Sequence, residues 1–168
     1  RKLTLGPPFT RVLIPEGSTI KEIDALLFEA GIGDPLMLAR LDPALFADDY
    51  PFLVGAKSLE GYLFPDTYEF SSGVSSEAIV RKFLDAFTEK ALPLFSPERR
   101  EVSVMRETVI LASIIEKEVV SFRDRELVAG ILKKRLKLRI PLQIDATVIY
   151  AKCGSFKNCP TLTKGDFG

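Results

Sequence analysis

The chain has 168 residues, 46% hydrophobic, 27% charged and 10% aromatic, which is one domain's worth of polypeptide or two small ones with enough length for a sizeable core. Lys plus Arg and Asp plus Glu both number 23, so the formal net charge is zero, and nucleic acid is not expected as the main partner. Histidine is absent, which removes Ser-His-Asp triads, Cys-His pairs and imidazole metal ligands and leaves proton transfer near neutral pH to a carboxyl, amine, thiol or phenol. No apolar run exceeds four residues, against about 20 for a bilayer-crossing helix, and no signal-peptide pattern stands at the start. The first residue is Arg1 rather than Met, compatible with an anchor or export signal having been removed.

Taken in chain order, Thr10–Ile14 reads as a strand closed by Pro15-Glu16-Gly17. Thr19, with Glu22 three residues on, is a capping box that opens a helix whose apolar stripe is Ile20, Ile23, Leu26, Leu27 and Ala30. Gly31 and Gly33 stop it, and a second short helix is predicted from Asp34-Pro35 with Leu36, Leu38, Ala39 and Leu41. This strand–helix–helix unit, residues 10–48, reads as a small α+β subdomain whose opening is similar to LysM-type glycan-binding modules. Residues 58–73 read as irregular and aromatic. Ser75 or Ser76 caps a helix carrying Ile79, Phe83, Leu84 and Phe87, punctuated by Pro93 and Pro97. A long helix is predicted over 103–120, another from a Ser121 cap with Leu127, Val128, Ile131, Leu132 and Leu136, and a short extended piece at 142–144 that turns into a helix capped by Asp145. The fold class is α+β, with a small first subdomain and a mainly helical second one over 58–168.

The long helix carries two glutamates, Glu116 and Glu118. At about 100° per residue they point to nearly opposite sides, so they cannot act as a pair on one helix. Glu118 stacks over Ile114 and Ile115, with Leu111 a turn further back; Glu116 stacks over Ala112 and Ser113. A carboxyl ending an apolar stripe loses solvation, which disfavours its charged form, and a carboxylic acid that keeps its proton can donate it to a leaving oxygen. Glu118 is therefore the better candidate general acid. The plainer reading is that it marks the point where the helix emerges into water.

The remaining features each allow two readings. Arg123-Asp124-Arg125-Glu126 opens a helix; an arginine there could fold back to Glu118 or hold a sugar or peptide carboxylate, or the segment is a solvated helix start. Lys133-Lys134-Arg135 and Lys137-Leu138-Arg139 are either a surface for anionic lipid or wall polymer, or an ordinary charged helix face. Tyr62, Phe64, Tyr68 and Phe70 could stack on sugar faces, with Glu60 and Asp66 on hydroxyls, or pack around a turn fixed by Gly61 and Pro65. Cys153 and Cys159 flank a short polar loop with Gly154 and Asn158; they form either a disulfide, placing the chain in an oxidising compartment, or two free thiols, and they lack the partners for zinc.

Three motifs then occur in order: Glu60-Gly61-Tyr62-Leu63-Phe64-Pro65-Asp66-Thr67-Tyr68, Leu111-Ala112-Ser113-Ile114-Ile115-Glu116-Lys117-Glu118, and Leu142-Gln143-x-Asp145-x-Thr147-Val148-Ile149-Tyr150. Together they resemble the YceG-like family, the endolytic murein transglycosylases, over roughly residues 10–165. The opening Ile14-Pro15-Glu16-Gly17-Ser18-Thr19-Ile20 is similar to the entry of that family's LysM-like subdomain. The resemblance implies an enzyme that cuts nascent peptidoglycan strands internally, between N-acetylmuramic acid and N-acetylglucosamine, and leaves a 1,6-anhydro-muramyl end. It implies Glu118 as the catalytic acid and Tyr62, Asp66, Arg125, Gln143, Asp145 and Thr147 as residues lining the cleft. It also implies an N-terminal membrane anchor, action outside the cytoplasmic membrane, and peptidoglycan synthases as partners. The chain departs from the family pattern at Ile144 (usually Ser or Thr), at Ala146 (usually Pro) and at Lys134-Arg135-Leu136, where an Asn-Arg-Leu motif is usual. The family pattern also runs on past Gly168.

The implied chemistry matches the single candidate acid. Most glycosidases need two carboxyl groups. A lytic transglycosylase needs one, because the muramyl 6-hydroxyl attacks its own anomeric carbon, with the effective molarity of an intramolecular step. Glu118 would give its proton to the glycosidic oxygen and then, as carboxylate, take the 6-hydroxyl proton, with no metal or cofactor required. Two rivals stand beside this: a glycan-binding or scaffolding module without turnover, and a hydrolase pairing Glu118 with Asp145 or Asp66, which would leave reducing ends.

Overall fold

The structure is a computed structural model that describes residues 9–119, 121–157 and 159–167. It divides into two compact units, residues 1–102 and 103–168.

The first unit is built on a two-stranded antiparallel sheet. β1 (Phe9–Leu13) pairs with β2 (Thr67–Ser71) in the register Phe9↔Ser71 to Leu13↔Thr67. The second strand lies inside a segment whose sequence reads as irregular. Its alternation is nonetheless that of a half-buried strand: Tyr68 and Phe70 are buried, while Thr67 and Glu69 face out. Gly61, Pro65 and Gly73 around it mask that pattern. The pairing also moves the unit boundary. Residues 10–48 do not close on themselves, because β1 needs β2, and the segment from 58 to 102 therefore belongs with the first unit.

α1 (Ile20–Glu29) starts at the capping box expected for it. Thr19 Oγ1 accepts the Glu22 N–H at 3.3 Å, and Glu22 Oε2 accepts the Thr19 N–H at 3.1 Å. Its Ile20, Ile23 and Leu27 are buried. α2 is a single turn, Met37–Arg40, that starts three residues later than Asp34. Its Leu38 and Ala39 N–H groups donate to the buried carboxylate of Asp24, at 2.8 and 3.1 Å. Burial raises the Asp24 pKa, against the lowering effect of those two donors. α3 (Ser76–Ala86) is capped by Ser75, whose Oγ accepts the Ala78 N–H at 3.2 Å, and it buries Ile79, Val80, Phe83 and Leu84. Its last turn widens into a π turn over Phe87–Ala91. Rings pack densely here: Phe52 lies 4.9 Å from Phe87, and Tyr68 4.4 Å from Phe83.

The second unit is helical: α4 (Val102–Glu118), α5 (Phe122–Lys137) and α6 (Asp145–Cys153). Helix α4 ends at Glu118, and Val120, where the sequence places its end, lies outside the described residues. Ser121 stands at the α5 cap without a capping bond from its side chain. The α6 cap is Ile144 rather than Asp145. Asp145 is the first helical residue, where a carboxylate suits the positive end of the helix. The core of this unit is Leu111, Leu132, Ile144 and Ala146, with Ile114, Ile115, Val128, Leu142 and Phe156 packed against it. Among the described residues no helix is long and apolar enough to cross a membrane.

Candidate active site

Helix α4 delivers Glu118 at its last residue, one turn beyond the Ile114 and Ile115 that rest on the core. Glu118 is an exposed residue, so the apolar stripe ends beneath it rather than enclosing it. What holds it is polar: Oε1 accepts the backbone N–H of Ala146 at 3.3 Å. Ala146 is the second residue of α6, so Glu118 satisfies one of the donors that the start of a helix leaves without an intrahelical partner. The end of α4 is thereby joined to the beginning of α6. Ala146 is buried, and a residue that reaches the site only through its N–H fits there.

The other candidates in this unit gather around that junction to different degrees. Asp145 and Thr147 flank Ala146. Thr147 Oγ1 donates to the Ile144 carbonyl at 2.7 Å, and the Thr147 side chain also lines a shallow, open depression with Val148, Ala151, Lys152 and Asp166. Gln143, exposed and with left-handed backbone at φ 54°, precedes Ile144; its Oε1 accepts from Arg135 Nη2 at 3.3 Å. Arg125 folds back toward α4 but donates from Nε to the Val119 carbonyl at 3.4 Å rather than to the Glu118 carboxylate. Glu116 is exposed on the opposite side of the helix.

The depression is walled at one end by the segment after α6. Lys152 Nζ lies 3.0 Å from Asp166 Oδ2, which also accepts the Thr163 N–H at 2.6 Å and the Thr163 hydroxyl at 2.9 Å. The Thr163 N–H first, then Lys152, hold the Asp166 pKa down at about 2. Cys153 and Cys159 are joined as a disulfide with Cα atoms 5.8 Å apart. Gly154, left-handed at φ 64°, closes α6 and starts the turn between them. Asn158 of that loop lies outside the described residues.

Tyr62 and Asp66 belong to the first unit. The Tyr62 ring is 3% exposed and packs 5.7 Å from Phe52 and 5.5 Å from Phe87. Its hydroxyl is buried with no hydrogen-bond partner among the described residues. Tyr68 and Phe70 are core residues as well, so a sugar-stacking platform of these rings gives way to internal packing. Tyr68 Oη donates to the Phe64 carbonyl at 2.6 Å, and Glu60 Oε2 accepts the Ile20 N–H at 3.0 Å at the start of α1. Asp66 is ion-paired with Lys90 and accepts the Thr67 N–H at 2.7 Å; the Lys90 ammonium holds its carboxyl below the usual range.

Two participants are not among the candidate site residues that the sequence offers. The Ala146 N–H is a backbone group, and no side-chain pattern announces it. Arg135 sits in a basic stretch that reads either as a surface for an anionic polymer or lipid or as an ordinary charged helix face, yet it turns to the 141–143 segment. Two signals separate it from Lys133 and Lys134: its position three residues after the core residue Leu132, and its place as the arginine where the family has Asn-Arg-Leu.

The model of the YceG-like family matches residues 1–165. A protein of Streptococcus pneumoniae serotype 2 named endolytic murein transglycosylase is 29% identical over 165 residues, covering 87% of this chain and 30% of that protein. One of the same name from Bacillus subtilis is 29% identical over 167 residues, covering 90% of this chain and 46% of that protein. The crystal structure of a putative YceG-like protein from Listeria monocytogenes superposes with a TM-score of 0.73 at 27% identity, over 95% of this chain and 56% of that one. The chain thus spans roughly a third to a half of the relatives it matches. With its motifs in order and its fold shared, it belongs to the YceG-like family.

Proposed function

We propose that this chain carries the catalytic region of a peptidoglycan lytic transglycosylase, with Glu118 as the group that first gives and then takes a proton. The reading is supported by the names of the relatives and, above all, by one contact: the Glu118 carboxylate is fixed at the start of α6 by the Ala146 N–H while remaining open to solvent. One oxygen is held, and the group stays accessible to a glycan. Gln143, Asp145 and Thr147 stand on the same short stretch and supply donors and acceptors for sugar hydroxyls. Arg125 completes the proposed set in this unit, whereas Tyr62, enclosed in the first unit's core, and Asp66, paired there with Lys90, are left out of it.

In the reaction the protonated Glu118 passes its proton to the oxygen between N-acetylmuramic acid and N-acetylglucosamine as that bond breaks. The muramyl 6-hydroxyl bonds to the anomeric carbon, and its proton returns to Glu118, so the acid is regenerated and no water is consumed. The intramolecular attack removes the need for a second protein carboxylate. The substrate would be nascent glycan outside the cytoplasmic membrane, reached by a protein anchored through a segment N-terminal to this chain and working beside peptidoglycan synthases.

Glu118→Gln tests the assignment. The amide keeps an oxygen to accept the Ala146 N–H, so folding and glycan binding are expected to persist while release of anhydro-muramyl ends, read by mass spectrometry, disappears. Continued release by that variant removes Glu118 from the mechanism. Reducing ends from the unaltered protein indicate a hydrolase, and intact glycan indicates a binding module.

A further inference from the structure

We propose that Arg135 is a positioning residue that sets the start of α6, and through it the Glu118 carboxylate; the catalytic half of this inference rests on the reading of Glu118 above. Arg135 is half-buried in the last turns of α5. Its guanidinium does not face outward to an anion. Nη1 donates to the carbonyls of Pro141 at 3.2 Å and Leu142 at 2.5 Å, and Nη2 donates to Gln143 Oε1 at 3.3 Å. Its own carbonyl accepts the Ile140 N–H at 2.9 Å. One residue therefore grips the α5–α6 connection at four successive positions.

That connection needs holding. It contains two non-glycine residues with left-handed backbone, Arg139 at φ 55° and Gln143 at φ 54°, a region that L residues rarely occupy and that persists when surrounding contacts enforce it. The connection is also short, and it ends at the site. Ile144, next after Gln143, is the buried cap of α6, and Ala146, two residues further, donates to Glu118. Leu132, one turn before Arg135, lies in the same cluster as Ile144 and Ala146. The apolar contacts fix how deep the start of α6 sits. The guanidinium fork fixes the path of the backbone that enters it. A lysine cannot do the same, because one ammonium lacks the planar fork that spans two carbonyls and an amide oxygen.

Arg135→Lys and Arg135→Ala, compared with the unaltered protein, test this by two readouts: amide hydrogen exchange across α4–α6, and cleavage kinetics on nascent glycan. For Arg135→Lys we expect exchange at Ala146 to quicken on the order of tenfold while the middle turns of α4 and α5 keep their protection, and kcat to fall on the order of 10- to 100-fold with KM nearly unchanged, as misplacement of a catalytic group produces. Arg135→Ala gives the same pattern, more strongly. Unchanged exchange at Ala146 overturns the clamp, as does faster exchange spread evenly over α4 and α5, which is the mark of general destabilisation. A loosened Ala146 with unchanged kcat overturns the link to catalysis. Should Arg135→Ala not fold, Arg135→Lys decides. The two readings fail separately, because cleavage by Glu118→Gln removes the acid whereas Ala146 exchange probes the clamp without any turnover.

Discussion

In the first unit Phe46, Phe70 and Phe83 are wholly enclosed, Tyr68 packs on Phe70 and Phe83, and Phe52, Tyr62 and Phe87 pack on one another. The buried cluster of the second unit is Leu111, Leu132, Ile144 and Ala146, while Ile110, Leu127, Ile131, Leu138 and Ile140 stay exposed. The first unit rests on this apolar burial, which is non-directional, and its ion pairs Arg11–Glu69, Arg81–Asp49 and Lys90–Asp66 lie at the surface, where such pairs contribute little. The second relies on pins at chosen points: Glu118 on Ala146, Arg135 on the 141–143 segment, Asp166 on Lys152 and Thr163, and the Cys153–Cys159 disulfide. Such pins place groups well but respond to protons, reductants and single-atom changes. The proposed chemistry sits in the unit built that way.

The largest effects should come from cutting into the aromatic core. Phe83→Ala is expected to cost about 3–5 kcal/mol, whereas Leu132→Ala in the thinner cluster should cost about 2 kcal/mol, the low end for a buried leucine. Denaturant unfolding of both variants measures this, and a larger loss at Leu132 would reverse the comparison. Next comes the disulfide. It closes a loop with a sequence separation of 6, and for a loop that short the chain-entropy estimate is about 2 kcal/mol. Replacing both cysteines by serine should lower stability by that amount and quicken amide exchange over 159–167, with β1 and β2 unaffected.

What the sequence showed in advance follows the same division. The capping box at Thr19 and the cap at Ser75 were legible because a cap is a local pattern, and α4 and α5 because their apolar spacing repeats. Glu118 was legible as the residue ending a stripe, although its exposure was not: periodicity gives the side of a helix and not what covers it. β2 is harder to read: its short alternation is masked by the turn residues around it, and its partner, β1, lies more than fifty residues earlier, so the pairing itself leaves no local mark. The aromatic segment from Tyr62 to Phe70 looked like a sugar platform because composition cannot tell a ring packed inward from one facing water. Arg135 is marked by the family's Asn-Arg-Leu motif, but composition cannot tell an arginine that grips a backbone from the lysines beside it.

A smaller effect is expected at Asp24, a buried carboxylate in the first unit. Its pKa is raised by burial, so its contribution to stability is fully present below the unfolded value near 3.8 and is lost as pH rises through the folded one. Asp24→Asn should remove that slope from a plot of unfolding midpoint against pH. It should also cost about 1–2 kcal/mol at neutral pH, because the amide offers one acceptor to the Leu38 and Ala39 N–H groups and turns a donor toward the other. A slope that survives the substitution would assign it elsewhere.

The smallest and most local effect is at Asp166, where the sign runs the other way. Its carboxyl is held down at about 2 by the Thr163 N–H and Lys152, so its contribution is present above the unfolded value of 3.8 and is lost as pH falls toward the folded one. Acidification should therefore release the segment at Thr163 from Lys152 before the helices unfold, loosening the wall of the depression that Thr147 lines. Carboxyl NMR titration of Asp166, with Thr163 amide exchange beside it, follows this directly. Asp166→Asn should leave Thr163 exchange fast at every pH while the cluster around Leu132 keeps its protection. If Asp166 titrates near 4 with Thr163 protected throughout, polar pinning is not what holds this end of the second unit, and the contrast with the aromatic core narrows to the junction at Glu118.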